Sequence, residues 1–387
     1  MGKRVAESKD VGRALARQYF CASPIFTINT TKVGPGPHHF SQKTLQKSGQ
    51  GLTTFHKKHY KSRPGPHHFS QSTLQKSGKG LTIFHNKHYK SRARARPTRY
   101  TSRMKIALAT AIAAFSLDDD LAPLADALRK LGAHVEILAW DDCSVSWKRF
   151  DKVVLRSTWD YTERLPEFIS WCERISDQTE LSNSADVVKW NTDKHYLAEL
   201  ARKKCPVVES VFIEAGNAAD QFPDYAEFVV KPAVGAGSRD TQRYLAKNRL
   251  AAIAHVQALL DQKRAALIQP YLADVDTKGE TALIFFNGIF SHAIRKGPLL
   301  QLDKGPTSHL FAPEAITTRE PSSEEFEVAH KVLAAVPFKY LAYARVDLLP
   351  SRQGPMLLEL ELTEPSLFFA HAPGSAERFA ASLMAGK

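Results

Sequence analysis

The chain has 387 residues, 43% of them hydrophobic, and a formal net charge of +13. That length holds two or three domains, that apolar content excludes wholesale disorder, and no run of about 18 apolar residues exists to cross a membrane as a helix. Four cysteines (Cys21, Cys143, Cys172, Cys205) lie far apart with no C-x-x-C pair, which argues against a zinc cluster and fits reduced thiols in a cytoplasmic protein.

The charge is unevenly placed. Residues 1–103 carry 21 Lys and Arg against two acids, Glu7 and Asp10, a balance of +19, whereas residues 104–387 carry −6. Pro35–Arg63 and Pro64–Arg92 are tandem copies of one 29-residue unit, alike at 25 positions. Two copies of a Lys-, His- and Ser-rich unit cannot bury a shared core, so 1–103 is expected to be a disordered basic extension. Its use stays open. It is a basic arm for nucleic acid, with Phe40, Phe55 and Tyr60 as stacking surfaces, or a metal binder through His38-His39 and His56 with His59. It is otherwise an Arg-rich targeting segment, or translated upstream DNA ahead of a start at Met104. Nucleic acid is a partner only under the first reading. Ile106–Leu117 has the look of a short export signal, but Asp118-Asp119-Asp120 closes it and a strand–helix–strand pattern runs through it.

From Lys105 the pattern alternates. Lys105–Thr110 reads as a strand, Leu121–Leu131 as a helix stopped by Gly132, and Val135–Trp140 as a strand. Lys152–Arg156 is a further strand and Pro166–Ile175 an amphipathic helix. Such alternation predicts a parallel sheet with helices on its faces, whose ligands gather beyond the strand ends. No G-x-G-x-x-G follows the first strand, so dinucleotide binding is unsupported. Two loops stand at those ends, Asp118–Asp120 and Arg156–Tyr161. In the second, Arg156 and Asp160 beside Trp159 and Tyr161 either hold a small zwitterion or form a solvated turn with an aromatic lid.

Beyond Lys189 the character changes. Asp193–Lys203 reads as a helix, Val207–Ile213 as a strand, and Glu227–Pro232 as a strand ending in Lys231. The small residues of 233–238, with Gly235, Gly237 and Ser238, let backbone N–H groups approach a polyphosphate. A helix (Arg249–Gln262) and a strand (Ala266–Pro270) follow. Thr281–Phe286 and Ile289–Ile294 flank Asn287-Gly288, a type I′ hairpin signal, so this part is antiparallel.

Tyr343–Leu349 and Pro355–Leu362 alternate as two strands joined by Pro350–Gly354. A regular hairpin there sets Leu349 against Pro355, Asp347 against Leu357 and Arg345 against Glu359. Arg345, Asp347, Glu359 and Glu361 then share one face. Three carboxylates so close repel unless a cation neutralises them, and oxygen-only ligands suit Mg²⁺ or Mn²⁺. The alternative is a solvated salt-bridge face, disfavoured because one arginine cannot pair three acids.

Lys194, EFVVKP, the Gly-rich loop, LIQPY…GE and ARVDLL…LELELTEPS occur in the order found in the ATP-grasp superfamily, which the chain resembles over roughly residues 104–387. Within it RSTWDY, DKHYLAEL, QPYLADVDTKGET and FSHAIRKG resemble the O-ureido-serine cyclo-ligases of cycloserine biosynthesis. The resemblance implies an α/β (α+β) fold: a Rossmann-like pre-ATP-grasp domain over 104–188 and an ATP-grasp domain over 189–387, split near residue 270. It implies ATP, with Lys194 and Lys231 on the α- and β-phosphates, Gly235–Ser238 folded over them, and Lys296 near the γ-phosphate. Gln269, Tyr271 and Leu272 would bracket adenine and Glu280 the ribose. Asp347, Glu359 and Glu361 would hold Mg²⁺, and Arg345 the reacting carboxylate. Many members have Asn in place of Glu361, and the loop GAGSRD, which helps form the acceptor pocket, departs from the cyclo-ligase pattern. The implied activity is an Mg²⁺- and ATP-dependent carboxylate–amine ligase acting on a small amino-acid-like substrate through an acyl phosphate. A peptide or protein-tail ligase and a non-catalytic ATP-binding interaction protein are the alternatives, and a homo-oligomer stays open.

Overall fold

The computed structural model describes residues 103–302, 305 and 315–385, together with four short strands before them. Those strands form one hairpin in each copy of the repeat, β1 (Leu45–Ser48) with β2 (Gly51–Thr54) and β3 (Ser72–Ser77) with β4 (Gly80–His85). The two registers coincide, Ser48 facing Gly51 and Ser77 facing Gly80, and neither hairpin was predicted. Otherwise the expected disordered extension lies outside the described residues. Met1–Arg96 and Pro97–Lys387 form separate units.

In the second unit the apolar runs β5 (Lys105–Thr110) and β7 (Lys152–Leu155) are buried, as strands covered on both faces must be. They pair in parallel with each other, with β6 (His134–Ala139) and with β8 (Glu180–Ser182), in the order β6-β5-β7-β8. Helix α1 (Leu121–Lys130) buries Leu121, Leu124 and Leu128 at helical spacing, and α2 (Leu165–Ser176) buries Phe168, Trp171 and Cys172. Gly132 follows α1 at φ 94°, the left-handed conformation that glycine tolerates.

The remaining chain builds two antiparallel sheets. After α3 (Ala185–Asn191) and α4 (Tyr196–Arg202) come β9 (Val211–Ile213), β10 (Glu227–Pro232), β11 (Gln242–Leu245), α5 (Arg249–Asp261) and β12 (Ala266–Pro270). These strands lie in the order β11-β10-β12-β9. The expected strand from Val207 shortens because Val207 bridges Leu357 instead, and Val208 N donates to Leu357 O at 2.9 Å. Next are α6 (Val275–Lys278), β13 (Glu280–Phe286), β14 (Ile289–Lys296), β15 (Ile316–Arg319), α7 (Ser323–Ala335), β16 (Tyr343–Leu349), β17 (Met356–Glu361) and α8 (Ser375–Ala385). The third sheet has the order β15-β14-β13-β16-β17. Asn287 and Gly288 turn β13 into β14 with φ of 52° and 76°, as a type I′ turn requires. Helix α8 returns to the first layer, where Phe379 and Leu383 share a core with Leu124 and Leu128. Among the described residues Cys143, Cys172 and Cys205 are unbridged, and no helix is long and apolar enough to cross a membrane.

The β16–β17 register corrects the regular hairpin expected from the sequence. Leu349 faces Met356 and Leu348 faces Leu357, and the register then slips by one residue, so that Asp347 faces Glu359 and Arg345 faces Glu361. The slip decides which way the acids point. Carried on without it, the pairing would place Glu359 opposite Val346, whose side chain belongs to the apolar core. The extra residue, Leu358, returns both glutamates to the face of Arg345 and Asp347.

Strand β17 is the edge of its sheet, and side chains cover that edge. Tyr196 OH accepts from Leu360 N at 2.9 Å and donates to Leu360 O at 3.0 Å. Asn191 accepts from Leu362 N and donates to Leu360 O, both at 2.7 Å. An edge strand so covered has few unpaired polar groups left to stray or to pair elsewhere.

The chain after β17 is held by the parallel-sheet loops. Asp120, expected in a ligand loop, instead accepts from the backbone N of Leu367, Phe368 and Phe369 at 2.6, 3.0 and 2.9 Å. Arg156 stands 3.8 Å from the same carboxylate and donates to Pro365 O at 2.8 Å. Asp120→Ala would strand these N–H groups and leave Arg156 with Asp118 as its remaining counter-charge. We expect a loss of about 3 kcal/mol in urea unfolding; a loss under about 1 kcal/mol would show that this clamp does not hold the segment.

Candidate active site

The three sheets meet at one cleft. Besides Arg239 at its rim, its cations come from four places: Lys194 ahead of α4, Lys231 near the end of β10, Lys296 at the end of β14, and Arg345 on β16. All four are buried. Facing them are Glu280 on β13, Asp347 on β16, and Glu359 and Glu361 on β17. The loop residues Gly235, Gly237 and Ser238 line the same cleft, as do Gln269, Tyr271 and Leu272 at the end of β12.

Strand register explains the closest contacts. Glu280 faces Lys296 across β13–β14, while Asp347 faces Ala282 across β13–β16. Side chains two apart on a strand share a face, and small Ala282 leaves the room between. Lys296 Nζ therefore reaches Glu280 Oε1 at 2.6 Å and Asp347 Oδ2 at 2.7 Å. Arg345 Nη2 lies 2.9 Å from Asp347 Oδ2 and also pairs with Glu361. Lys194 Nζ lies 2.8 Å from Glu359 Oε1 and donates to Gly235 O at 2.8 Å, tying the Gly-rich loop to β17. The premise that one arginine faces three acids is thus corrected, because Lys194 and Lys296 share the task.

Loop geometry fits close approach. A Cβ on Gly235 would stand 2.9 Å from Pro232 Cγ, and Gly237 has φ 61°. Arg239, in the same loop, pairs with Glu163 of the loop after β7. At the β12 end the Arg243 guanidinium sits 3.5 Å from the centre of the Tyr271 ring, whose hydroxyl donates to Asp276 at 2.5 Å. Gln269 Nε2 donates to Ser210 Oγ at 3.0 Å.

Crowding of like charges shows in the protonation of the acids. Burial raises Asp347, but Arg345 and Lys296 outweigh it and hold the carboxyl well below the usual range. Glu359 likewise falls, because Lys194 and Lys231 outweigh burial. Glu361 goes the other way: enclosure, with Asp347 and Glu359 beside it, pushes it up to about 7 against the pull of Arg345. Burial, with Lys194 adjacent, brings Lys231 down to about 8.

Arg156 and Asp160 do not line this cleft. Arg156 is spent on Pro365 and Asp120, and Asp160 on Trp140 Nε1 at 2.8 Å and Arg164 Nη2 at 2.6 Å. Their neighbours Trp159 and Tyr161 line it instead, opposite Glu364, Ser366 and Phe368 of the segment after β17. Sequence reasoning missed these three: they follow the last strand, where no periodicity marks a face.

Comparison with known proteins now decides the family. Over 292 residues the chain is 39% identical to the cycloserine biosynthesis protein DcsG of Streptomyces lavendulae, covering 72% of this chain and 97% of that protein. The chain belongs to the DcsG family. Residues 106–183 match the domain described as D-cycloserine synthetase DcsG, N-terminal domain. The crystal structure of D-cycloserine synthetase DcsG superposes with TM-score 0.68 at 38% identity, covering 72% of this chain and 98% of that one. The ATP-grasp ligase PsnB, solved with a minimal precursor, superposes with TM-score 0.52 at 18% identity over 74% of this chain and 100% of its own. This DcsG-family chain therefore has the ATP-grasp fold and is a ligase that joins a carboxylate to an amine at the expense of ATP.

Glu364 in this cleft is pushed up to about 8, by burial first and then by Glu361. A carboxyl raised in the folded state contributes stability that is present below its unfolded pKa of about 4.5 and lost as pH rises toward 8. Measured without nucleotide or Mg²⁺, stability is expected to fall between pH 5 and pH 8, and more shallowly in Glu364→Gln. Urea midpoints with equal slopes in the two proteins would contradict this.

Proposed function

We propose that the chain activates the carboxylate of a small amino-acid-like molecule as an acyl phosphate and closes it onto a nitrogen of the same molecule, giving a five-membered ring. The arrangement of Arg345 carries this reading. Its guanidinium is fixed by Asp347 on one side and by Ser366 O, 3.0 Å from Nη1, on the other, and it faces the cleft beside Lys296. A buried, oriented arginine next to phosphate-binding lysines suits a carboxylate that becomes phosphorylated.

Lys194 and Lys231 bind the α- and β-phosphates of ATP, the loop at Gly235, Gly237 and Ser238 covers them, and Lys296 meets the γ-phosphate. Gln269, Tyr271 and Leu272 frame the adenine, and Glu280 takes the ribose hydroxyls. Asp347, Glu359 and Glu361 fit Mg²⁺ in donor chemistry, being oxygen ligands only. As the side chains stand, each acid is ion-paired, and among the described residues no three His, Cys, Asp or Glu groups gather about one point. Holding the cation thus requires Lys194 and Lys296 to exchange carboxylates for phosphate. When bound, Mg²⁺ supplies positive charge against the phosphates and relieves the repulsion that raises Glu361.

The carboxylate oxygen attacks the γ-phosphorus and ADP leaves. The nitrogen then attacks the acyl carbon, the new C–N bond forms, and inorganic phosphate departs with the C–O electrons. Lys296 and Arg345 stabilise the charge that develops in both steps. Ring closure needs no second substrate, since the tether supplies a high effective concentration. The enzyme works in the cytoplasm, where ATP is supplied.

With substrate labelled by ¹⁸O in the carboxylate, one ¹⁸O is expected in inorganic phosphate for each turnover. Product formed with unlabelled phosphate would remove acyl-phosphate activation and leave only the nucleotide site.

A further inference from the structure

Charge matching in the cleft leaves two residues over. Lys296 serves Glu280 and Asp347, Arg345 serves Asp347 and Glu361, and Lys194 serves Glu359. Among the described residues neither Lys231 nor Glu364 forms an ion pair, although each is only 8% exposed. Lys231 stands at the Gly-rich loop, where an anionic nucleotide answers its charge. Glu364 stands beside Tyr161 in the segment after β17, and the negative charge of a nucleotide would only repel it.

The surroundings of Glu364 are built rather than accidental. Its carboxyl shares a hydrogen bond with the Tyr161 hydroxyl, a neutral partner buried at 4% exposure. Its main-chain carbonyl accepts from Trp159 Nε1 at 3.2 Å, which pins the backbone. Two residues on, Ser366 O accepts from Arg345 Nη1 at 3.0 Å, so Glu364 and the guanidinium are held in one frame. The Phe368 ring, 5.5 Å from the same guanidinium, walls the space between. A buried carboxyl whose hydrogen-bond partner is a phenol is costly to ionise unless a cation reaches it. Lys194 acts on it from a distance but is committed to Glu359 at 2.8 Å, and ATP brings no cation of its own.

We propose that Glu364, positioned by Tyr161, binds the α-ammonium group of the amino-acid-like substrate whose carboxylate lies at Arg345. The assignment rests on the ligase reading above and deepens it. Once the ammonium brings Glu364 to its ionised form, the two opposite charges held in one frame match the two charges of a free amino acid. They exclude the C-terminus of a peptide, whose α-nitrogen is an uncharged amide, and so set this cleft against a peptide-tail ligase. No bond is made or broken at Glu364; its effect is selection.

The test is calorimetric binding, in Mg²⁺ and a non-hydrolysable ATP analogue, of O-ureidoserine and of the same molecule lacking its α-amine. The parent protein is expected to bind the amine-bearing form at least about tenfold tighter, the scale of a charge-assisted hydrogen bond. Glu364→Gln should bring that ratio close to one while the affinity for the ATP analogue stays unchanged, which also certifies the fold. Tyr161→Phe should shrink the ratio by a smaller factor in the same direction. A parent that binds both forms equally or binds neither, or a Glu364→Gln protein that keeps the preference, would overturn the assignment. Failure of the ligase reading shows separately, as product formed without ¹⁸O passing into phosphate.

Discussion

Five carboxylates and four buried cations share one cleft, and the rest of the structure follows from keeping them there. Isolated buried charges are expensive, so each acid must meet a cation at the right geometry or give up its charge. Asp347, gripped by Lys296 and Arg345, takes the first course, while Glu361 and Glu364 drift upward in pKa. A site so crowded suits a ligand that brings many negative oxygens with its own counter-ions. On the proposed reading phosphate would take the lysines and a dication the carboxylates, so that binding would exchange one set of partners for another. Such an exchange is what phosphoryl transfer asks of a protein that does little covalent chemistry itself.

Two irregular features of the scaffold serve this placement. The one-residue slip between β16 and β17 turns Glu359 and Glu361 to the face of Arg345, and Asn191 with Tyr196 holds the edge they stand on. Asp120 and Arg156, from loops of the parallel sheet, hold the segment that brings Ser366 and Phe368 to the same arginine. The first layer contributes to the site chiefly as a clamp, with only Trp159 and Tyr161 reaching the cleft.

Much of this was legible in the sequence because strands announce their faces. Alternation in ARVDLL and LELEL placed Arg345, Asp347, Glu359 and Glu361 on one side, and Asn287-Gly288 marked its turn. The register was not legible: a bulge adds a residue without changing composition. Nor was the ion pairing, since Lys194 and Lys296 come from distant positions that only the packed sheets bring together. Arg156 and Asp160 have the chemistry of a binding loop, but burial directs both toward holding the protein's own backbone. Glu364 escaped notice because it lies beyond the last strand. Helix α7 could have been found, for Ser322 and Glu325 form a capping box ahead of its apolar positions.

The central claim is that the acids on β16 and β17 hold the charge of transfer rather than merely one another. Glu359→Gln tests it most directly, being nearly isosteric and removing only the charge that Lys194 and Lys231 hold. The account predicts a protein that still folds and binds nucleotide, with turnover at least about tenfold lower, roughly 1.4 kcal/mol of transition-state stabilisation, and a higher Mg²⁺ requirement. Full turnover at the parent's Mg²⁺ concentration would contradict it and return the cluster to a structural network of salt bridges.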